Sequence, residues 1–138
     1  MRAIVRQSSC CVVLVCAAVL TLAAQNEAPR IELAELKKLH AAKQVLLVDV
    51  RDDQSFAAGH IPGAINIPVG EDERAEHYNR LKAEKRPVVT YCACPEDATS
   101  ARAAATYMRY GVKDVRVLKN GYGGWLKSGG AVETSPQE

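Results

Sequence analysis

Two cysteines one residue apart sit where an apolar run gives way to a helical stretch. Pro87-Val88-Val89-Thr90-Tyr91 reads as a strand, and Cys92-Ala93-Cys94-Pro95-Glu96-Asp97-Ala98 follows as a loop. Thr99 to Tyr110 then reads as a helix ended by Gly111. A strand, loop and helix N-terminus in succession form a cradle whose backbone N–H groups can point at an anion. The same donors stabilise a thiolate, lowering its pKa and raising its nucleophilic fraction. Two cysteines this close cannot clamp a fold, so their placement points to reactivity or to a metal. A buried, inert pair is the structural alternative. A metal needs further ligands at ligand spacing, and His40, His60 and His77 are isolated, so no metal site is assigned. A Cys92–Cys94 disulfide closes a tight ring and is expected to be easily reduced. If both thiols are accessible, Cys94 can resolve a sulfenate on Cys92.

The elements that must position this loop alternate in type. Ile31 to His40 has one apolar helical face, through Ile31, Leu33, Leu36 and Leu39. Val45 to Val50 is a near-continuous apolar run, as a buried parallel strand requires. Gln54 to Ala58 gives one helical turn, Ala64 to Pro68 a short strand, and Glu71 to Lys85 a charged amphipathic helix. Val115 to Leu118 is a fourth strand, and Gly121 to Gly130 a glycine-rich turn and last helix around Trp125. Strands separated by helices predict an α/β fold: a parallel sheet with helices on both faces. Ligands in such sheets bind beyond the carboxyl ends of the strands, here after Val50 and after Tyr91.

The 138 residues suffice for one domain, and aromatics at 5% predict a core mostly of Val, Leu, Ile and Ala. The N-terminus has the layout of a secretory signal. Arg2 and Arg6 precede an apolar run from Cys10 through Ala24, with small residues at Ala23-Ala24 before Gln25-Asn26-Glu27. The run is short for a membrane span, and an uncleaved anchor is the alternative. The expected organisation is a signal peptide at 1–24, a linker at 25–30, one domain at 31–132 and a flexible tail at 133–138, exported to the periplasm or secreted. Without the first 24 residues Lys+Arg falls from 18 to 16 against 16 Asp+Glu, a net charge of zero. That gives no electrostatic case for nucleic acid or for an anionic membrane surface.

Four segments in order resemble the rhodanese family, across about residues 31 to 132. Asp49-Val50-Arg51 followed by Phe56-Ala57-Ala58-Gly59-His60-Ile61-Pro62-Gly63-Ala64-Ile65-Asn66-Ile67-Pro68 resembles its first signature. Val88-Val89-Thr90-Tyr91-Cys92 resembles the strand before its catalytic cysteine, and Ser100-Ala101-Arg102-Ala103-Ala104 the helix after the loop. Val115 to Leu118, with Lys119-Asn120-Gly121-Tyr122-Gly123-Gly124-Trp125, resembles the C-terminal signature. The resemblance implies a sulfurtransferase: a cysteine thiolate takes sulfane sulfur from a small donor, holds it as a persulfide, and passes it to a thiol or other thiophilic acceptor. It implies no metal or organic cofactor. A thiol–disulfide module using Cys92 and Cys94, and a non-catalytic binding domain, are the alternatives.

The loop departs from the family pattern. Matching the strand end makes Cys92 the nucleophile; matching the helix start makes Cys94 the first residue of a six-residue loop ending at Thr99. Cys92 is preferred because it directly follows the strand. Thr99 and Arg102, the nearest cation, are the expected substrate-binding residues. Asp49, Arg51 and His60 are expected to support the site as an ion pair and a hydrogen-bonded histidine. Glu96 and Asp97 stand where basic or neutral residues are usual, which predicts weak thiosulfate activity and a raised thiol pKa. Neither cysteine begins a Cys-x5-Arg phosphatase loop.

Overall fold

The computed structural model describes residues 27–70 and 74–135; the segment read as a signal peptide lies outside them. Five parallel strands form one sheet: β1 (Arg30–Ile31), β2 (Leu46–Asp49), β3 (Ile65–Asn66), β4 (Val88–Tyr91) and β5 (Val115–Leu118). The helices are α1 (Leu33–Ala41), α2 (Asp53–Ala58), α3 (Ala75–Ala83), α4 (Ala98–Arg109) and α5 (Gly121–Lys127). A short 3-10 turn, Pro95–Asp97, precedes α4. No helix among the described residues is long and apolar enough to cross a membrane.

The apolar runs become central strands because both their faces are covered. Leu46 and Val48 of β2, Val88 of β4, and Val115 and Val117 of β5 share one core cluster with Tyr78 and Leu81 of α3 and Ala103, Ala104 and Tyr107 of α4. The alternate positions Leu47, Val89, Tyr91 and Leu118 face a second cluster with Leu36 of α1 and Tyr122 and Trp125 of α5. Period-2 alternation therefore divides each strand between two helical layers. The expected α/β sheet with helices on both faces is what forms.

Two expectations change. Ile31 does not begin a helix: Arg30 and Ile31 pair with Val117 and Leu118, so a fifth strand closes the edge beside β5. Two residues are too few to show a period, and Ile31 fits the helical pattern that follows it. The core is mostly Val, Leu, Ile and Ala, as the composition predicts, with Tyr91 and Tyr107 its largest fully buried side chains. Finally, residues 133–135 are pinned rather than frayed. His60 and Glu133 exchange backbone hydrogen bonds, and Ser135 N–H donates to the Ala57 carbonyl.

The strand order is β1-β5-β4-β2-β3. From β2 the chain moves outward to β3; from β4 it moves the opposite way to β5. The loops after β2 and β4 therefore leave their adjacent strand ends in opposite directions and open a crevice between them. Asp49 lies beside Tyr91 in the ladder, so Arg51 and Cys92 emerge at the same edge.

Candidate active site

The loop after β4 is held from three sides. Tyr122 N–H donates to the Cys92 carbonyl at 2.8 Å, tying the loop to the start of α5. The Thr90 hydroxyl donates to the Ser100 carbonyl at 3.0 Å, fixing α4 against β4. Asp97, 4% exposed, accepts from Arg30 Nη1 at 2.8 Å and from Asn120 N–H at 3.0 Å. Glu96 and Asp97 both have positive φ, 55° and 57°. Non-glycine residues there cost energy, and the contacts of Asp97 hold the turn in place.

This turn corrects the expected acidity of the loop. Asp97 is neutralised by Arg30 of β1. Only Glu96, exposed beyond the turn, keeps an unpaired carboxylate.

Cys92 and Cys94 are joined by a disulfide. Their surroundings differ. Cys92 is 2% exposed and belongs to the core cluster on the α3–α4 face, with Ser100 Oγ 3.5 Å from its Sγ. Cys94 is half-buried, and its Sγ accepts the Thr99 N–H at 3.3 Å. Thr99 is in the first turn of α4, so this sulfur sits at the positive end of a 12-residue helix.

A cavity of about 460 Å³ lies in the crevice beside them, lined by Val50, Arg51, Asp52, Ser55, Pro68, Val69, Cys92, Ala93, Cys94 and Thr99. Thr99 is thus brought to the cysteines as expected. Arg102 is not: it is exposed on α4, opposite the face that buries Ala103, Ala104 and Tyr107. The cation in the cavity is Arg51. Its Nε and Nη2 bind the fully buried Asp49 carboxylate, Nη2 also donates to the Gly59 carbonyl at 2.7 Å, and its Cζ lies 4.1 Å from the Tyr122 ring centroid. Burial opposes the charge on Arg51, but the hydrogen bond and the charge of Asp49 outweigh it and raise its pKa. Burial and the Asp49 carboxylate likewise push the Tyr91 phenol up. Asp52 caps α2, and the Ser55 N–H and hydroxyl hold its carboxyl below the ordinary range. With Asp49, Arg51 and Asp52 together, this wall carries one net negative charge.

His60 stands apart from the cavity. It is 3% exposed, stacks on Phe56 with centroids 3.7 Å apart, and has its Nδ1 2.9 Å from the Phe56 carbonyl. Its ring holds the loop that carries Gly59, whose carbonyl in turn receives Arg51. Reading the sequence missed Ser55 and the Arg30–Asp97 clamp. An aspartate three residues before a serine at a helix start signals the first; a pair 67 residues apart leaves no local signal for the second.

A family model described as Rhodanese-like domain matches residues 32–128. The chain belongs to the rhodanese-like domain family. A thiosulfate sulfurtransferase of Shewanella oneidensis is 35% identical over 92 residues, covering 66% of this chain and 85% of that protein. The human thiosulfate:glutathione sulfurtransferase is 32% identical over 111 residues, covering 72% and 95%. The crystal structure of the BH2092 protein from Bacillus halodurans superposes with a TM-score of 0.70 at 27% identity, covering 86% and 85%. Of three other curated relatives the chain spans 70%, 41% and 62% of the length. The rhodanese-like fold thus brings a cysteine loop to the switch-point crevice and sets a buried Asp–Arg pair beside it.

One glycine of the C-terminal signature has a steric task at this loop. A Cβ on Gly121, whose φ is +44°, would run into the Cys92 carbonyl. Gly121→Ala is therefore expected to shift the loop and destabilise the protein by about 1–3 kcal/mol, as overpacking does. A urea midpoint equal to that of the parent would show that the carbonyl yields freely.

Proposed function

We propose that the chain is a rhodanese-type sulfurtransferase of an oxidising compartment, carrying sulfane sulfur as a persulfide on the loop after β4. The Cys92–Cys94 disulfide is its oxidised form, and a dithiol reductant opens it to two thiols. The Cys94 thiolate then attacks the sulfane sulfur of the donor. A new S–S bond forms on Cys94, and the donor's own S–S bond breaks with the electron pair leaving on the departing group. An acceptor thiolate attacks the outer sulfur, takes it, and releases Cys94 as thiolate. The observation that carries this reading is the position of Cys94 Sγ: at the wall of the crevice cavity, on the N–H of Thr99. On this reading the nucleophile is Cys94, which the helix N-terminus serves, rather than Cys92, preferred for following the strand.

The negative wall of the cavity selects among donors. Arg51 is already matched by Asp49, and Asp52 adds a carboxylate, so a dianion such as thiosulfate is disfavoured against an organic persulfide or a polysulfide of lower charge. Mass spectrometry of the reduced protein tests this. Treatment with polysulfide is expected to add about 32 Da, one sulfur atom, with less adduct from thiosulfate. The unreduced protein is expected to take up none. The disulfide itself favours a second reading, a thiol–disulfide module. Reversible loss of two protons with no sulfur uptake by the reduced protein would select it and reject sulfur transfer.

A further inference from the structure

Cys94 also borders a second cavity, which shares no other lining residue with the crevice. It measures about 440 Å³ and lies between the turn at Glu96 and the first turns of α5. Cys92 does not line it. Asn120, Gly123, Gly124 and Lys127 form its far wall. Two features suit it to a small ligand that must reach Cys94. Gly123 presents bare backbone, and a Cβ there would meet nothing within 4 Å. The only unpaired charges at its rim are of opposite sign: Glu96 and Lys127 have no ion-pair partner among the described residues, whereas Asp97 is held by Arg30.

We infer that this second cavity is the acceptor site, and that it takes a small zwitterionic thiol, with its ammonium toward Glu96 and its carboxylate toward Lys127. The inference rests on the sulfur-transfer reading and adds to it a separate entrance for each half-reaction. A donor approaches Cys94 from the crevice of Arg51 and Ser55; the acceptor approaches from the α5 side. Sulfur then crosses the loop without donor and acceptor competing for one space. The charge pattern fits this division, since the crevice carries a net negative wall and the second cavity is balanced.

Two reactions at Cys94 read the site independently. The first is discharge of the loaded protein, in which a thiolate takes the outer sulfur. The second needs no persulfide: a thiolate attacks Cys94 Sγ in the disulfide, Cys92 leaves as thiolate, and a second thiolate displaces Cys94 to give a small-molecule disulfide. Cysteine, cysteamine and 3-mercaptopropionate, compared at equal thiolate concentration, serve as zwitterionic, cationic and anionic probes. Cysteine is expected to be fastest in both reactions. Gly123→Leu, which adds a bulky side chain at the cavity wall, is expected to slow both about tenfold for all three probes, as a misplaced reactant does. Lys127→Glu is expected to bring cysteine down to the rate of cysteamine, since one charge contact near a protein surface is worth roughly tenfold. Equal rates for the three probes, or Gly123→Leu at the parental rate with unchanged thermal unfolding, would overturn the inference. Preference for cysteine and sensitivity to Gly123→Leu in exchange alone, with no sulfur uptake, would keep the thiol site and sink sulfur transfer.

Discussion

Cys94→Ser is expected to lower sulfur uptake by about a hundredfold or more, while Cys92→Ser still loads. A serine hydroxyl stays protonated in the pH range where a thiol at a helix N-terminus is ionised, so it offers no nucleophile. The asymmetry follows from where the two sulfurs lie. Cys92 is buried against the α3–α4 core, with the Ser100 hydroxyl beside its sulfur. Cys94 is half-buried at the cavity wall and accepts the Thr99 N–H. Both variants lose the disulfide, so the oxidised form and its two-proton mass difference should vanish from each. Only the position of the adduct separates them, and peptide mapping after polysulfide treatment reads it directly. Loading that survives Cys94→Ser and disappears in Cys92→Ser would return the nucleophile to the strand end.

The second large effect is on stability. Asp49→Ala is expected to cost about 3–5 kcal/mol, because it strands the Arg51 guanidinium without its partner. Asp49 is fully buried and the Arg51 side chain 12% exposed, so water cannot replace the lost carboxylate. The Arg51 backbone N–H loses its acceptor as well. Such a loss is a large share of the roughly 5–15 kcal/mol by which domains are stable. Urea unfolding checks it: the midpoint should fall with little change in slope, and a loss under about 1 kcal/mol would mean that the ion pair does not hold the crevice wall. Asp49→Asn is expected to be milder, because it keeps an acceptor for the Arg51 N–H.

Much of this architecture was legible from local pattern. The runs Val45–Val50, Val88–Tyr91 and Val115–Leu118 contain the three central strands, because a buried parallel strand must be apolar on both faces. The cysteine loop was legible too, from its place between a strand and a helix. Local pattern failed where partners are distant in sequence. The edge strand Arg30–Ile31 is defined by its pairing with β5, not by its own two residues. Asp97 read as an acid beside an anion site because nothing near it announces Arg30. Arg102 read as the cation of the site on sequence proximity, whereas the helix turns it to solvent and the adjacent strand supplies Arg51. The preference for Cys94 over Cys92 rests on burial and on the Thr99 N–H, which no residue pattern records.

The clamp between Arg30 and Asp97 bears on the order of events during synthesis. Its two halves are 67 residues apart, and Asn120, which completes it, emerges later still. The loop can take its final shape only once the growing chain has delivered all three. The two sulfurs are two residues apart, so they can be oxidised as soon as both are exposed, with no fold to bring them together. Oxidation is thus a local event and the cradle a late one. A nascent chain that meets an oxidant early closes its sulfur pair first and folds around it.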